Sequence, residues 1–257
     1  MSAGPPNTWV LLRGLTRERG HWGAFPKQLA LQLGPQARIV TLDLPGNGAL
    51  HGMASPASIA ATMAHCRAQL QALAIDAPVH LLAMSLGAMV AVEWAVRHPQ
   101  ELAGCVLVNT SMRPFSPFYR RLRPANYAPL IGLALWPRSS LTRERAVLRL
   151  TTRLQPYDTP VVAQWAALRD RHPVSAGNAL RQLLAAARYR APRKAPAVPL
   201  LVLASAHDTL VHASCSRRLA QQWQAELREH PSAGHDLPQD DGHWLAAQVA
   251  QWRAQHD

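Results

Sequence analysis

The chain has 257 residues, of which 48% are hydrophobic and 16% charged, which excludes a disordered composition and allows one large α/β domain. Because the first residues have no basic start and only a short apolar run, we expect neither a signal peptide nor a membrane-spanning segment. The cysteines at positions 66, 105 and 215 are widely separated, which favours reduced thiols and predicts a cytoplasmic protein.

The net charge of +12 is concentrated in one internal segment. Residues 113–193 contain 15 arginines and three acidic residues, an excess that equals the net charge of the whole chain. The other residues carry 12 basic and 12 acidic side chains. This localisation is difficult to attribute to codon bias alone, and it also differs from the lysine-rich tails of many nucleic-acid-binding proteins. We expect no nucleic-acid partner.

Strand and helix patterns alternate along the first hundred residues. Short apolar runs bounded by Gly, Pro or Asp predict buried strands at residues 9–12, 38–42, 79–83 and 105–108. Helical stretches lie between them, at about residues 22–33, 56–73 and 87–96. Alternation of this kind predicts a mostly parallel sheet with helices on both faces.

The pattern changes at Arg113 and changes back near residue 191. Residues 113–190 show Pro-broken pieces followed by helical periodicity, which predicts a helical cap inserted in a core formed by residues 1–112 and 191–257. Residues 191–199 have the composition of a linker. A strand at 200–204, a helix at 214–224, a short strand at 227–230 and a final helix from Asp241 complete the predicted core.

The segment 79–87, VHLLAMSLG, predicts a strand, a tight turn and the start of a helix. Ser85 would lie on this turn with its hydroxyl exposed above the end of the strand. Ala83 and Gly87 are small, as required where a strand and a helix nearly touch across a turn. The helix N-terminus would also favour a developing negative charge.

Several segments resemble those of the α/β-hydrolase superfamily. Besides the turn at Ser85, they are the RGL turn at 13–15, the LDLPGNG stretch at 42–48, the strand and loop at 200–211, and the SAGH loop at 232–235. The resemblance implies an α/β-hydrolase fold, with a mostly parallel central sheet flanked by helices and an inserted helical cap.

The same resemblance implies a serine hydrolase with Ser85 as nucleophile, His235 as general base and Asp208 as the acid that orients the histidine. The order Ser, Asp, His along the chain is the order of this fold. Backbone N–H groups of Leu15 and Leu86 would stabilise the tetrahedral oxyanion. The expected reaction is hydrolysis of a carboxylic ester, or a thioester, through an acyl-serine intermediate.

Three residues depart from the pattern of the superfamily. Ala83 replaces the commoner Gly at the start of the turn, and Asn47 replaces a frequent His. Arg13 also stands where many relatives have His, and we expect it to place a charge close to the entrance of the site.

Other residues compete for the catalytic roles. His207, His212 and His243 are alternatives to His235, and Asp236 is an alternative to Asp208 that would struggle to reach the ring of its neighbour. The acidic and histidine residues at 235–243 match no zinc spacing, so we expect a helix N-terminus there and no metal site. Neither a G-x-G-x-x-G nor a P-loop pattern is present in the sequence, and we expect no cofactor.

The first part of the predicted cap interleaves aromatic and basic side chains. One interpretation is a solvated, arginine-decorated surface over an aromatic core; the other is recognition of an acidic partner or substrate. The chain resembles, at superfamily level, carboxylesterases that demethylate a pimeloyl ester on acyl carrier protein. The resemblance implies an acidic carrier as an alternative partner to a free small-molecule ester. The aromatic residues are Phe115, Phe118, Tyr119, Tyr127 and Trp136, and the arginines are Arg113 and the predicted partner-binding residues Arg120, Arg121 and Arg123.

Two further alternatives stay open at this point. The protein could be a non-catalytic basic binding module on a hydrolase scaffold, although a complete triad argues against it. The same fold also carries lyases and cofactor-free dioxygenases. A serine nucleophile excludes only haloalkane dehalogenases, which use aspartate.

Overall fold

The computed structural model describes residues 7–135 and 139–256, which form one six-stranded sheet and the helices around it. All strand pairs are parallel, and the strand order is β2-β1-β3-β4-β5-β6. The strands are β1 (Thr8–Leu12), β2 (Arg38–Leu42), β3 (Val79–Met84), β4 (Leu102–Val108), β5 (Leu200–Ser205) and β6 (Glu226–His230). The predicted parallel sheet is therefore confirmed.

The central strands are apolar because helices cover both faces of the sheet. All six residues of β3 are buried, and only the ends of its neighbours reach partly exposed positions. Residues 38–42 form the predicted strand β2, but the prediction that it is buried is wrong: β2 is an edge strand with Arg38 exposed and only Leu42 buried. An edge strand has a single neighbour, so the length of an apolar run does not distinguish it from a central one.

Five helices of the core cover the two faces of the sheet. They are α1 (Phe25–Leu33), α2 (Ile59–Ala72), α3 (Leu86–Arg97), α9 (Ser214–Trp223) and α10 (Leu237–Arg253). One hydrophobic cluster joins the first face to α2, α3 and α9, and a second joins the other face to α1 and α10.

Three helix starts differ from the prediction. α2 begins at Ile59, after its N-cap Ser58, instead of at residue 56. Residues 19–22 form a 3-10 turn, and α1 begins only at Phe25, followed by Pro26.

A first turn of α10 begins at Leu237, four residues before the predicted start, because Pro238 suits a first helical turn. Asp241 has non-helical angles (φ −152°, ψ 76°) and marks a kink inside α10. The longer part of the helix follows Asp241, as predicted, and the Asp241 carboxylate accepts the Trp244 N–H at 2.9 Å.

The described residues between β4 and β5 form five α-helices, in the segment where helical structure is predicted. They are α4 (Phe118–Arg121), α5 (Tyr127–Leu135), α6 (Ser140–Thr151), α7 (Thr159–Arg171) and α8 (Ala176–Arg188). We refer to residues 113–190 as the helical insertion. Its small apolar centre is formed by Leu148, Val162 and Trp165. Trp136, one of the predicted cap aromatics, lies outside the described residues.

No helix within the described parts of the chain is both long enough and apolar enough to cross a membrane.

Candidate active site

Ser85 lies on a sharp turn between β3 and α3. Its φ of 54° and ψ of −115° fall in a region that non-glycine residues rarely adopt, and backbone strain of this kind is typical of functional sites. Two hydrogen bonds hold the turn: the Ser85 N–H donates to the Val108 carbonyl at 2.9 Å, and the Thr110 hydroxyl donates to the Ser85 carbonyl at 3.0 Å. The serine is therefore fixed to the end of β4.

The turn after β1 lies directly against Ser85. A Cβ added at Gly14 would be 3.2 Å from Ser85 Cβ, and one added at Gly87 would be 2.5 Å from the carbonyl oxygen of Leu12. Only glycine at position 87 allows α3 to approach β1 this closely. Leu15 follows Gly14, and Leu86 occupies the first turn of α3, where backbone N–H groups have no acceptor within the helix. Both predicted oxyanion donors thus belong to segments that adjoin the serine.

His235 and Asp208 form a buried hydrogen-bonded pair. His235 Nδ1 lies 2.7 Å from Asp208 Oδ2, and both side chains are at most 5% exposed. The other carboxylate oxygen, Oδ1, accepts hydrogen bonds of 2.8 Å from the N–H groups of Leu210 and Val211. A proton on Nδ1 leaves Nε2 able to accept a proton from another group.

The three predicted catalytic residues follow the ends of parallel strands. Ser85 follows β3, Asp208 lies three residues after β5, and His235 lies five residues after β6. Because the carboxyl ends of parallel strands meet at one edge of the sheet, all three residues belong to the same edge.

Asn109, which the sequence analysis did not single out, ties the histidine loop to this edge. Its φ is 44°, and its side-chain amide donates to the His235 carbonyl at 2.8 Å and to the Ser205 hydroxyl at 2.9 Å. The side-chain oxygen Oδ1 of Asn109 accepts the Ser205 N–H at 2.8 Å. The only available signal was a polar NTS run immediately after an apolar strand.

The competing histidines are exposed, and the competing acids bind groups other than the His235 ring. His207, His212 and His243 are exposed. Asp240 accepts hydrogen bonds from the N–H groups of Gly234, Arg153 and Leu154, so it supports two loops. Asp236 pairs with Arg13 instead of the ring of His235.

The prediction that Arg13 places a charge at the site entrance is wrong. The side chain is 2% exposed, and Nη1 and Nη2 donate to the two carboxylate oxygens of Asp236 at 3.0 and 2.6 Å. Its guanidinium carbon lies 4.9 Å from the centre of the Trp22 ring. Sequence alone could not reveal this, since the partner is 223 positions away.

The three cap arginines that we predict to bind a partner all donate hydrogen bonds within the protein. Arg120 donates to the Ser214 hydroxyl at 3.2 Å, and Arg121 donates to the Ala186 carbonyl at 2.7 Å. Arg123 donates to the carbonyl of Asp208 at 3.1 Å. All three are half-buried, so their partner-binding role stays a prediction.

The helical insertion is attached to the loops that carry the candidate site. The Asp236 N–H donates to the Thr151 carbonyl at the end of α6 at 2.7 Å. On α8, the amide of Gln182 accepts the Thr16 N–H at 2.9 Å and donates to Asn47 at 2.8 Å. These contacts link the insertion to both the histidine loop and the turn after β1.

A buried ionic cluster also joins the insertion to the core. Glu144 on α6 is fully buried between Arg17, which lies 2.6 Å away, and Arg169 on α7. Burial alone would raise the pKa of Glu144, but the two guanidinium groups more than offset this and hold it below the usual value. The pKa of His21, beside Arg17, is well below its ordinary value because the ring is buried and faces these cations.

The cysteines are buried thiols. Burial raises the pKa of Cys66 to about 12 and also raises that of Cys105 and Cys215. Thiols with raised pKa values are poor nucleophiles.

A serine on a strained strand-to-helix turn, with a buried His–Asp pair at the same sheet edge, defines the class of α/β hydrolases. A family model agrees: the model described as alpha/beta hydrolase family matches residues 9–248, and the chain belongs to this family.

Individual relatives match this chain with different identities and over different lengths. A provisionally named carbamate hydrolase, RutD, from Klebsiella pneumoniae is 31% identical over 88% of this chain and 83% of that protein. A pimeloyl-[acyl-carrier protein] methyl ester esterase from Chromobacterium violaceum is 37% identical, but the match spans only 36% of this chain and 34% of that protein. The crystal structure of an enol-lactonase from Burkholderia xenovorans superposes with a TM-score of 0.76 at 19% identity, covering 99% of this chain and 94% of that one. That likeness concerns the fold.

Proposed function

We propose that the protein is a serine hydrolase that cleaves a carboxylic ester or a thioester. The observation that carries the proposal is the strained Ser85 turn at the same sheet edge as the buried His235–Asp208 pair. Hydrolase chemistry is common to the family, and an esterase and a lactonase are among the similar proteins.

In the proposed reaction, His235 Nε2 takes the proton of the Ser85 hydroxyl as the oxygen attacks the substrate carbonyl. The carbonyl π electrons move onto oxygen, and the N–H groups of Leu86 and Leu15 stabilise the resulting oxyanion, each worth about 3–4 kcal/mol. The imidazolium then protonates the leaving alcohol or thiol as the bond to it breaks. Water, deprotonated by the same histidine, hydrolyses the acyl-serine. The reaction uses side chains and water, and no cofactor.

We further propose that the helical insertion acts as a cap over this site. Its contacts with the histidine loop and with the turn after β1 support this role. A mostly apolar cleft of about 400 Å³ lies between α5 and α6. Its wall includes Leu150, whose carbonyl accepts a hydrogen bond from Thr209, the neighbour of Asp208. A cytoplasmic location is part of the same proposal.

The experiment is hydrolysis of p-nitrophenyl esters from acetyl to decanoyl by the wild-type protein and by Ser85→Ala. We expect turnover by the wild type and a loss of at least about 10³-fold in the variant, because the nucleophile is removed. Equal turnover by both proteins would contradict the proposal.

A second candidate is an ester carried by an acidic protein. The observation that favours it is a row of exposed arginines at four-residue spacing, Arg145 and Arg149 on α6 and Arg153 just after it. Residues four apart lie on one side of a helix, so Arg145 and Arg149 present charge to the same direction. The relative that acts on an acyl-carrier protein ester supports this candidate.

A further inference from the structure

One carboxylate contacts the ring of His235, and another belongs to the next residue in the chain. The two have different partners. Asp208 contacts the imidazole directly at 2.7 Å. Asp236 follows His235 in the chain, is only 4% exposed, and binds Arg13 through both oxygens. A buried carboxylate without a cation would be costly, and its charge would favour the protonated form of an imidazole on the neighbouring residue.

Arg13 reaches three of the segments that form the candidate site. It lies between β1 and the Gly14–Leu15 turn, it pairs with the residue after His235, and its Nη1 contacts the sulfur of Met84, the residue before Ser85, at 3.6 Å. The planar guanidinium has its donors in a fixed arrangement that fits a carboxylate bidentately. A side chain held at Asp236, Met84 and Trp22 therefore has little freedom to move.

We infer that Arg13 is a positioning residue that neutralises Asp236, so that Asp208 alone sets the charge and orientation of His235. This inference rests on the proposed function, in which His235 acts as the general base. The acidic groups around His235 are Asp208, Asp236 and Asp240, the last of which accepts the Gly234 N–H. The basic groups are Arg13, which binds Asp236, and Arg123, which donates to the Asp208 carbonyl. Of these, Arg13 and Asp236 form a buried ion pair at the residue that follows His235.

The test is the pH dependence of kcat/KM for a p-nitrophenyl ester in single and double variants. Arg13→Met leaves the Asp236 carboxylate without a counterion, and this negative charge stabilises the imidazolium form of His235. We therefore expect the acidic limb of the profile of kcat/KM against pH to move up by about one pH unit. Asp236→Asn leaves the Arg13 cation uncompensated, and we expect the limb to move down. In the double variant both charges are absent, and the limb should return close to its wild-type position.

If the limb shifts in opposite directions in the two single variants and returns in the double variant, Arg13 acts through its charge. A role in packing would not give this pattern. Arg217→Met, which removes an arginine from the surface pair with Glu229, is the matched control and should leave the limb unchanged. If Arg13→Met does not fold, Asp236→Asn and Arg13→Lys carry the test: the lysine keeps the charge, so its limb stays in place while kcat falls. An active wild type whose variants all share its acidic limb would overturn the inference, whereas an inactive wild type would overturn the proposed function.

Discussion

Asp208 shows how individual atoms determine the proposed chemistry. One oxygen faces His235 Nδ1, and the other is held by the N–H groups of Leu210 and Val211. The loop after β5 therefore orients the acid, and the acid in turn orients the ring.

Asp208→Asn tests this arrangement with minimal change of shape. The amide oxygen can still accept the loop N–H groups, but a neutral amide cannot stabilise the imidazolium and favours the wrong tautomer. We expect kcat to fall by about 10³–10⁴-fold in steady-state kinetics. Asp158→Asn is the control, because Asp158 is the residue that caps the N-terminus of α7. Near-normal activity of Asp208→Asn would exclude the assigned role.

The residues of the candidate triad could be predicted from sequence because each follows a local pattern: a strand, a turn and a short motif. The residues that support them could not. Asn109, Arg13 and Asp236 meet their partners across 96 to 223 positions of the chain, and nothing in their local sequence specifies those contacts.

The attachment of the helical insertion depends on a pair of helices and one turn of the core. Glu144 on α6 lies between Arg169 on α7 and Arg17 after β1. Removing the charge of the fully buried Glu144 leaves a buried and a half-buried cation without a counterion, which is far more costly than losing an exposed pair.

We expect Glu144→Gln to lower the free energy of unfolding by about 3–5 kcal/mol in urea titrations at pH 7. Glu229→Gln, whose partner Arg217 is largely exposed, should lower it by less than about 1 kcal/mol. Because the folded-state pKa of Glu144 is depressed, its contribution is complete above the unfolded value of about 4.3 and is lost as the pH falls through the folded value. Equal, small losses in both variants would show that the buried cluster does not hold the insertion in place.

Elements were predictable where one local signal dominates. The buried run of β3 identified a strand, whereas the edge position of β2 depends on which strands lie beside it. α10 starts four residues before the prediction because a single turn precedes the kink at Asp241. The predicted position is where the longer part of the helix begins, and Asp241 accepts the Trp244 N–H there. The tertiary partners of the acids before it could not be predicted: Asp236 binds Arg13, and Asp240 binds the loop at 153–154.

Across the whole molecule, the arginines that give the chain its excess positive charge lie in two kinds of environment. Some arginines of the insertion turn inward, as Arg121, Arg123 and Arg169 do, and others remain exposed. Sequence alone could not separate the two sets, because a guanidinium fits buried carboxylates and carbonyls as well as solvent.

The exposed set provides a test of the acidic-carrier candidate. Arg145→Glu, Arg149→Glu and Arg153→Glu combined should lower kcat/KM at low salt for an ester on an acidic carrier protein by about 10-fold or more, with a free ester unaffected. The wild-type rate with the carrier should fall as salt is added. The charge-matched control is Arg171→Glu, Arg181→Glu and Arg188→Glu, three other exposed arginines of the insertion. A carrier-bound ester that reacts independently of salt and of both sets would count against the candidate.

Covalent labelling tests whether Ser85 is an activated nucleophile. The folded wild-type protein is treated with a fluorophosphonate, and the modified residue is located by mass spectrometry of its peptides. We expect a single adduct on Ser85, no adduct in Ser85→Ala, and labelling slowed by at least about 100-fold in His235→Ala, because the base is absent. Folded wild-type protein that stays unlabelled at Ser85, or that is labelled equally fast without His235, would contradict the account.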